Sequence, residues 1–97
     1  MLRVIYQPDA EAELLEAVLF YGSREEGVED PFLATINFHV REIASAPQRF
    51  PRVGRDIRRC VVRKYPFIIF FKDHPDHVRI LAIAHTSRRP YYWRRRI

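Results

Sequence analysis

The chain has 97 residues, a hydrophobic content of 47% and a formal net charge of +5. These values predict one globular domain over residues 1–97 and exclude a disordered chain. The one cysteine, Cys60, excludes an internal disulfide, and no apolar run approaches the ~20 residues of a membrane span. We therefore expect a cytoplasmic protein that makes no membrane contact.

The charge is divided unequally along the chain. Residues 1–48 contain three basic and nine acidic residues, a net charge of −6, whereas residues 49–97 contain fourteen basic and three acidic residues, a net charge of +11. A cationic half of this density attracts nucleic acid or an acidic protein segment. The alternative is that the charges are merely solvated and that the genome prefers arginine codons. This alternative explains the excess of arginine over lysine better than it explains the unequal charge of the two halves.

The first half of the chain predicts one strand followed by two helices. Residues 2–6 are short and β-branched, which favours a strand. Pro8 and the acidic residues after it indicate the start of a helix that ends near Gly22. Asp30, followed by a proline, indicates the start of a second helix, which ends before Pro47. Two helices joined by a short loop predict an antiparallel hairpin.

The spacing of side chains assigns faces to the first helix. Apolar residues at helical spacing predict one stripe, formed by Ala12, Leu14, Leu15, Val18, Leu19 and Tyr21. Acidic residues lie mostly off this stripe, namely Glu11, Glu13 and Glu16. A second acidic group at the junction of the helices is interpreted as capping and solubility rather than catalysis: Glu25, Glu26, Glu29 and Asp30.

The second half of the chain predicts a loop and three strands. Residues 47–56 contain two prolines and a glycine, which favour a loop. Strands are predicted at 57–64, 67–71 and 77–84, and the unbroken apolar run of the second indicates a central position. The order β-α-α-β-β-β predicts an α+β fold, a helical hairpin packed on a four-stranded, mainly antiparallel sheet. A short C-terminal helix from Pro90 and a homodimer paired through the first strand are left open.

The last thirteen residues carry five arginines, three adjacent aromatic residues and His85. Arginine offers a planar charged fork to phosphate or carboxylate groups, and aromatic rings offer stacking faces. We expect this tail, with arginines of the strands, to bind the protein's target or an acidic partner segment. The alternative is that one or two of the aromatics fold back and close the core. The predicted binding residues are Arg58, Arg79, Arg88, Arg89, Tyr91, Tyr92 and Trp93.

A catalytic use of the same region is the second hypothesis. RNA cleavage without a metal requires a general base, a general acid and cations that stabilise the phosphorane. The candidate bases or acids are His85, Tyr91 and Tyr92. The most plausible cluster is His85 with Arg59 or Arg63 of a strand and the tail arginines Arg88 and Arg89 as cations. Arg79 has the same strand parity as His85, so both are expected on one face, about 20 Å apart and too far to serve one phosphate. The alternative is a structural His85, hydrogen bonded at the end of its strand.

No metal site or cofactor is expected. Residues 73–77 offer two carboxylates and two histidines, but a closed zinc site requires about four well-placed ligands, which a short turn with a central proline rarely supplies. We interpret this segment as a solvated hairpin turn. Cys60 is interpreted as a structural thiol, because no histidine is fixed beside it in sequence.

An ordered set of segments along the chain is similar to a known family. The segments are Ala46-Pro47, Gly54-Arg55, Ile57-Arg58-Arg59, Tyr65-Pro66-Phe67-Ile68-Ile69-Phe70, and the run from Val78 to His85 followed by Arg88-Arg89-Pro90 and Trp93. Together they resemble the RelE/ParE superfamily of small bacterial toxins, the toxic half of type II toxin–antitoxin pairs. The likeness covers nearly the whole chain.

The resemblance implies two activities. ParE-like members poison DNA gyrase and are not enzymes in the usual sense, whereas RelE-like members cut messenger RNA in the ribosome. Both are silenced by an antitoxin whose tail wraps the toxin, in the groove between the helical hairpin and the sheet. The histidine, Arg-Pro and tryptophan of the ending resemble the ParE-like, plasmid-stabilisation branch, and of the lysines typical of RelE-type nucleases only Lys64 is present. We therefore expect a ParE-like toxin, with a RelE-like endoribonuclease and a non-toxic partner- or nucleic-acid-binding module as alternatives.

Overall fold

The computed structural model describes residues 1–22, 27 and 30–97. Two helices and five strands follow one another as β1 (Arg3–Tyr6), α1 (Pro8–Tyr21), α2 (Pro31–Ser45), β2 (Arg52–Gly54), β3 (Ile57–Val61), β4 (Phe67–Asp73) and β5 (His77–His85). Single turns of 3-10 helix lie at Pro47–Arg49 and Arg94–Arg96. The predicted α+β fold is confirmed. Three acidic residues of the helix junction, Glu25, Glu26 and Glu29, lie outside the described residues.

The strands form one sheet in the order β1-β5-β4-β3-β2. β1 pairs with β5 in parallel, and the other neighbours are antiparallel. The first strand therefore pairs at an edge of its own sheet. The sheet has five strands rather than the predicted four, because β2 lies inside the segment predicted as a loop. Its three residues are too few to give an alternating pattern, and they form a strand because they pair with the outer edge of β3.

The helices pack on one face of the sheet. Asp30 caps α2 as predicted, since its carboxylate accepts hydrogen bonds from the backbone N–H groups of Phe32 (2.9 Å) and Leu33 (3.1 Å). Such a cap contributes about 1 kcal/mol. Phe32, Ile36 and Ile43 of α2 are fully buried in the core beneath the helices, together with residues of β4 and β5.

The buried face of α1 differs from the predicted stripe. Ala10 and Ala17 are its buried residues, and Leu14 and Val18 pack against the core beside them. Leu15 and Leu19, which the sequence placed in the same stripe, are 61% and 68% exposed. The predicted stripe was wider than the surface of α1 that contacts the sheet, because that surface is centred on the small residues Ala10 and Ala17. Leu15 and Leu19 therefore do not belong to the buried face of α1.

A buried histidine joins α2 to the end of β3. The Nε2 atom of His39 accepts a hydrogen bond from the backbone N–H of Arg63 (3.1 Å), so its Nδ1 carries the proton and donates to Glu42 (3.0 Å). The Sγ atom of Cys60 lies 3.6 Å from the same Nδ1. The fold thus brings Cys60 a histidine that is 21 positions away in sequence.

We predict that Cys60 is inert in the folded protein. It is buried, and burial together with the nearby Glu42 carboxylate raises the pKa of its thiol to about 12. At pH 8 the thiol is therefore protonated, and thiolate reagents should modify it only after unfolding. Reaction with a chromogenic disulfide reagent, with and without denaturant, measures this difference. Equal reaction rates in the two conditions would contradict it.

Candidate partner-binding site

A β-bulge in β5 decides which side chains share a face. Phe70 pairs with Ala82 and Phe71 pairs with Ile80, which leaves Leu81 as an extra residue. An extra residue reverses the alternation of side chains beyond it. Val78 and Ile80 before the bulge and Ile83 after it all lie in the core beneath the helices, whereas Leu81, Ala82 and Ala84 lie in the core of the opposite face. We call this opposite side of the sheet the open face.

The bulge corrects the predicted relation between Arg79 and His85. The sequence placed both side chains on one face by strand parity, but they lie on opposite faces because Leu81 is inserted between them. Arg79 donates a hydrogen bond to the side chain of Gln7 (2.9 Å). His85 is on the helix side, where its ring lies 5.2 Å from that of Phe67. The prediction that Arg79 and His85 do not serve one phosphate stands, for a different reason.

The C-terminal tail, residues 86–97, crosses the open face. Trp93 is 3% exposed and packs on Phe70, with the ring centroids 4.7 Å apart. Tyr91 is 54% exposed. The structure therefore buries one aromatic of the tail and leaves another at the surface, so that Trp93 completes a second hydrophobic core. The C-terminal helix considered from Pro90 is not formed as a regular helix. This segment consists of turns and one turn of 3-10 helix, since Tyr91 has a φ of 58°, outside the helical region.

Glu13 of α1 holds this tail. Its carboxylate accepts hydrogen bonds from the hydroxyl of Tyr92 (2.6 Å), from the guanidinium of Arg96 (2.8 and 3.2 Å) and from the backbone N–H of Ile83 (3.1 Å). Sequence patterns predicted no role for Glu13 beyond the N-terminus of its helix. Tyr92 is 79 positions and Arg96 is 83 positions from Glu13 in the sequence. Contacts over such separations leave no local signal in the sequence, and only the fold brings these residues together.

Most of the predicted site residues meet in one cleft on the open face. It has a volume of about 270 Å³, lies between the tail and strands β2 to β5, and extends to His85 at the end of β5. An apolar floor includes Val53, Ile68 and Phe70. The polar and aromatic residues along its walls are Arg59, His85, Arg88, Arg89, Tyr91, Tyr92 and Trp93. We call it the basic cleft.

Three predicted arginines lie elsewhere. Arg58 is buried, with an exposed fraction of 8%, and it donates hydrogen bonds to the backbone oxygen of Phe50 (2.8 Å) and to Asp73 (3.3 Å). Arg63 extends over the ring of Phe38 on α2 (5.1 Å to the centroid). Arg79 is bonded to Gln7, as described above. Arg58 is thus committed to the fold, and neither Arg63 nor Arg79 lines the basic cleft.

The hydrogen bonds of His85 define what its ring can do. Its Nδ1 lies 3.0 Å from the backbone N–H of Ser87 and 2.7 Å from the hydroxyl of the same serine. Since Nδ1 accepts the backbone hydrogen bond, the neutral ring carries its proton on Nε2. Nε2 can therefore donate a hydrogen bond to an anion. To act as a general base, the neutral ring would have to accept a proton on Nδ1, and Nδ1 would then lose the hydrogen bond from the backbone of Ser87.

A second groove runs along the other side of His85, between α1 and β5. It has a volume of about 540 Å³, and its polar end includes Glu13, Glu16, His85 and Arg88. Its apolar wall includes Leu19 and Phe20, which are 68% and 76% exposed. Exposed apolar side chains at this density are typical of a protein-binding surface. We call it the α1 groove, and it meets the basic cleft at His85 and Arg88.

The turn at residues 73–77 and the helices were compared with what a metal ion or a membrane span requires, within residues 1–22, 27 and 30–97. Within these residues no three histidine, cysteine or acidic side chains are grouped so that they could hold a metal ion. In the turn predicted to be solvated, the rings of His74 and His77 stack at 4.2 Å, and His77 pairs with Asp76 (2.8 Å). Among the same residues no helix is long and apolar enough to cross a membrane.

Two comparisons with known proteins bear on the class of this protein. A chain of the "Chromosomal ParDE TA system from P. aeruginosa" has the same fold, with a TM-score of 0.65, 18% identity and coverage of 88% of this chain and 96% of that chain. The model of the ParE_toxin family, described as the ParE toxin of the type II toxin–antitoxin system parDE, matches residues 4–90. A comparison with curated proteins gives no match. The chain therefore belongs to the ParE toxin family of type II toxin–antitoxin systems, as the resemblance predicted.

Proposed function

We propose that this protein is a ParE-like toxin that inhibits DNA gyrase by binding it and that a cognate antitoxin neutralises it. Family membership supports the toxin class, and the ParDE system of the structural neighbour supports an antitoxin as a partner. The observation that carries the proposal is the exposed cationic group formed by Arg59, Arg88 and Arg89 beside Tyr91 in the basic cleft. The proposal implies a cytoplasmic protein, because gyrase works there.

A binding role fits the chemistry of the basic cleft better than a catalytic role. Its arginines are cations that can pair with carboxylates of a protein target, and its apolar floor can receive a side chain of that target. Nδ1 of His85 is engaged by Ser87, so the neutral ring offers a donor rather than a base. These properties suit a toxin that acts by binding and not by bond cleavage.

The α1 groove is the surface that we propose for the antitoxin. Its wall of exposed apolar side chains fits an amphipathic partner segment, and Arg88 and His85 at its polar end fit an acidic residue of that segment. Residues 49–97, which supply His85 and Arg88 to this groove, have a net charge of +11, which favours an acidic partner on that side of it. Because the groove and the basic cleft share Arg88, an antitoxin bound in the groove would cover part of the target-binding surface.

RelE-like cleavage of ribosome-bound messenger RNA is the second candidate function. The observation in its favour is that His85, Arg59, Arg88 and Arg89 line a single cleft. Arg63, the other arginine proposed for catalysis, extends over Phe38 and does not contribute to that cleft. A non-toxic relative that only binds a partner or nucleic acid would use the same surface without an effect on growth.

Purified gyrase provides the test. The protein should inhibit the supercoiling of relaxed plasmid in a concentration-dependent manner, and addition of its antitoxin should restore the supercoiling. A parallel reaction with ribosomes programmed with messenger RNA measures cleavage. Cleavage of the message with unaffected supercoiling would overturn the proposal in favour of the nuclease. The absence of both effects would overturn it in favour of the binding module.

A further inference from the structure

The contacts of Glu13 compensate for an unpaired edge of the sheet. β1 pairs with β5 only as far as Tyr6 and Ile80, so on this side of β5, beyond Ile80, the described part of the chain supplies no neighbouring strand. There the backbone N–H of Ile83 donates to Glu13, and the backbone oxygen of Leu81 accepts from Arg96 (3.1 Å). One residue from α1 and one from the tail thus satisfy the backbone groups that a further strand would have bonded.

The ion pair between Glu13 and Arg96 is shielded from solvent. Both side chains are 14% exposed, and the guanidinium contacts both carboxylate oxygens. Asp9 lies 3.4 Å from the same guanidinium. A bidentate pair with this degree of burial has a fixed geometry, unlike the mobile ion pairs of an exposed surface. The position of the tail at residue 96 is therefore tied to α1.

Tyr92 carries this constraint to the target-binding surface. Its hydroxyl donates to Glu13, and two guanidinium groups contact its ring, those of Arg88 (4.1 Å to the ring centroid) and Arg96 (5.0 Å). Burial, followed by the hydrogen bond to Glu13, raises the pKa of Tyr92, so the phenol is protonated at neutral pH. Arg88 rests on a ring that Glu13 holds in place, and Arg88 lines both the basic cleft and the α1 groove.

We propose that Glu13 is a positioning residue for the toxin's target-binding surface. Through Tyr92 it fixes the guanidinium of Arg88, and through Arg96 it fixes the path of the tail over the open face. Glu13 itself does not have to touch the target. The expected effect on toxicity rests on the proposed function. The effect of Glu13 on the tail concerns the free protein and can be measured without the target.

The first experiment measures the tail alone. Glu13→Gln removes the charge of the carboxylate, and Glu11→Gln is the matched control, because Glu11 is an exposed residue of the same helix. Trypsin should cleave after the arginines of the tail about tenfold faster in Glu13→Gln than in the wild type, a change equivalent to ~1.4 kcal/mol. Cleavage in Glu11→Gln should be unchanged. An unchanged rate in Glu13→Gln, with far-ultraviolet circular dichroism like that of the wild type, would overturn the proposal.

The second experiment measures the consequence on gyrase. The concentration of Glu13→Gln needed for half-inhibition of supercoiling should rise about tenfold, and that of Glu11→Gln should not change. Faster tail cleavage without a change in inhibition would overturn the positioning role. If the wild type does not inhibit gyrase, the proposed function fails, and the tail measurement still decides whether Glu13 holds the tail.

A second variant protects the test against misfolding of Glu13→Gln. Tyr92→Phe removes only the hydroxyl that donates to Glu13 and retains the ring beneath Arg88. We expect a smaller increase in tail cleavage than for Glu13→Gln, because the bond between Glu13 and Arg96 remains. If Tyr92→Phe has no effect on cleavage or on gyrase inhibition, the path through Tyr92 is wrong.

Discussion

Replacement of Trp93 by alanine should lower the free energy of unfolding by about 3–5 kcal/mol, the range expected for removal of a buried aromatic side chain. Trp93 is 3% exposed and packs on Phe70, together with Leu81, Ala82 and Ala84 of β5. It covers the face of the sheet opposite the helices. A domain of this size has only about 5–15 kcal/mol of stability, so the variant should be only marginally folded at 37 °C.

Equilibrium unfolding in urea measures this effect. Far-ultraviolet circular dichroism is the signal, because it does not depend on the fluorescence of the tryptophan that is removed. Tyr91→Ala is the matched control, because Tyr91 is two positions away and 54% exposed. It should change the stability by less than about 1 kcal/mol. Equal losses for the two variants would mean that Trp93 does not close a core and that the tail is not part of the folded domain.

The double substitution of Arg88 and Arg89 by glutamate should abolish toxicity while leaving the fold intact. Both residues are exposed and line the basic cleft, where the change replaces two cations with two anions. We expect the affinity for the target to fall about 100-fold, equivalent to ~2.7 kcal/mol. Growth after induced expression and the inhibition of gyrase by the purified variant both report on this loss.

A charge-matched control separates position from net charge. Arg49→Glu with Arg55→Glu makes the same change at two exposed arginines that do not line the cleft. This variant should remain as toxic as the wild type, with its affinity reduced only by the weaker long-range attraction. If both double variants lose toxicity equally, the overall charge and not the basic cleft determines target binding.

Local chemistry made much of the fold predictable. The cap at Asp30, the proline after it and the apolar run of β4 are short-range signals, and each lies where it was predicted. Tail residues that follow a strand directly, such as Arg88 and Arg89, line one cleft with His85, because a few residues beyond the end of a strand lie near it.

Long-range contacts made the rest unpredictable. The bulge at Leu81 moves Arg79 and His85 to opposite faces, yet no residue marks it, since residues 80–84 around it are all apolar. Arg58 and Arg59 are adjacent in sequence, but one is buried against Asp73 and the other lines the cleft. Glu13 meets its partners across nearly the whole chain, so its role became visible only in the folded protein.

Pulse labelling after induced expression in a bacterium tests the central claim most directly, because it follows DNA and protein synthesis in the same culture. The proposed function predicts an early loss of thymidine incorporation while amino-acid incorporation continues, with Arg88→Glu combined with Arg89→Glu as the inactive control. An early loss of amino-acid incorporation with continued DNA synthesis would contradict inhibition of gyrase and would favour cleavage of messenger RNA at the ribosome.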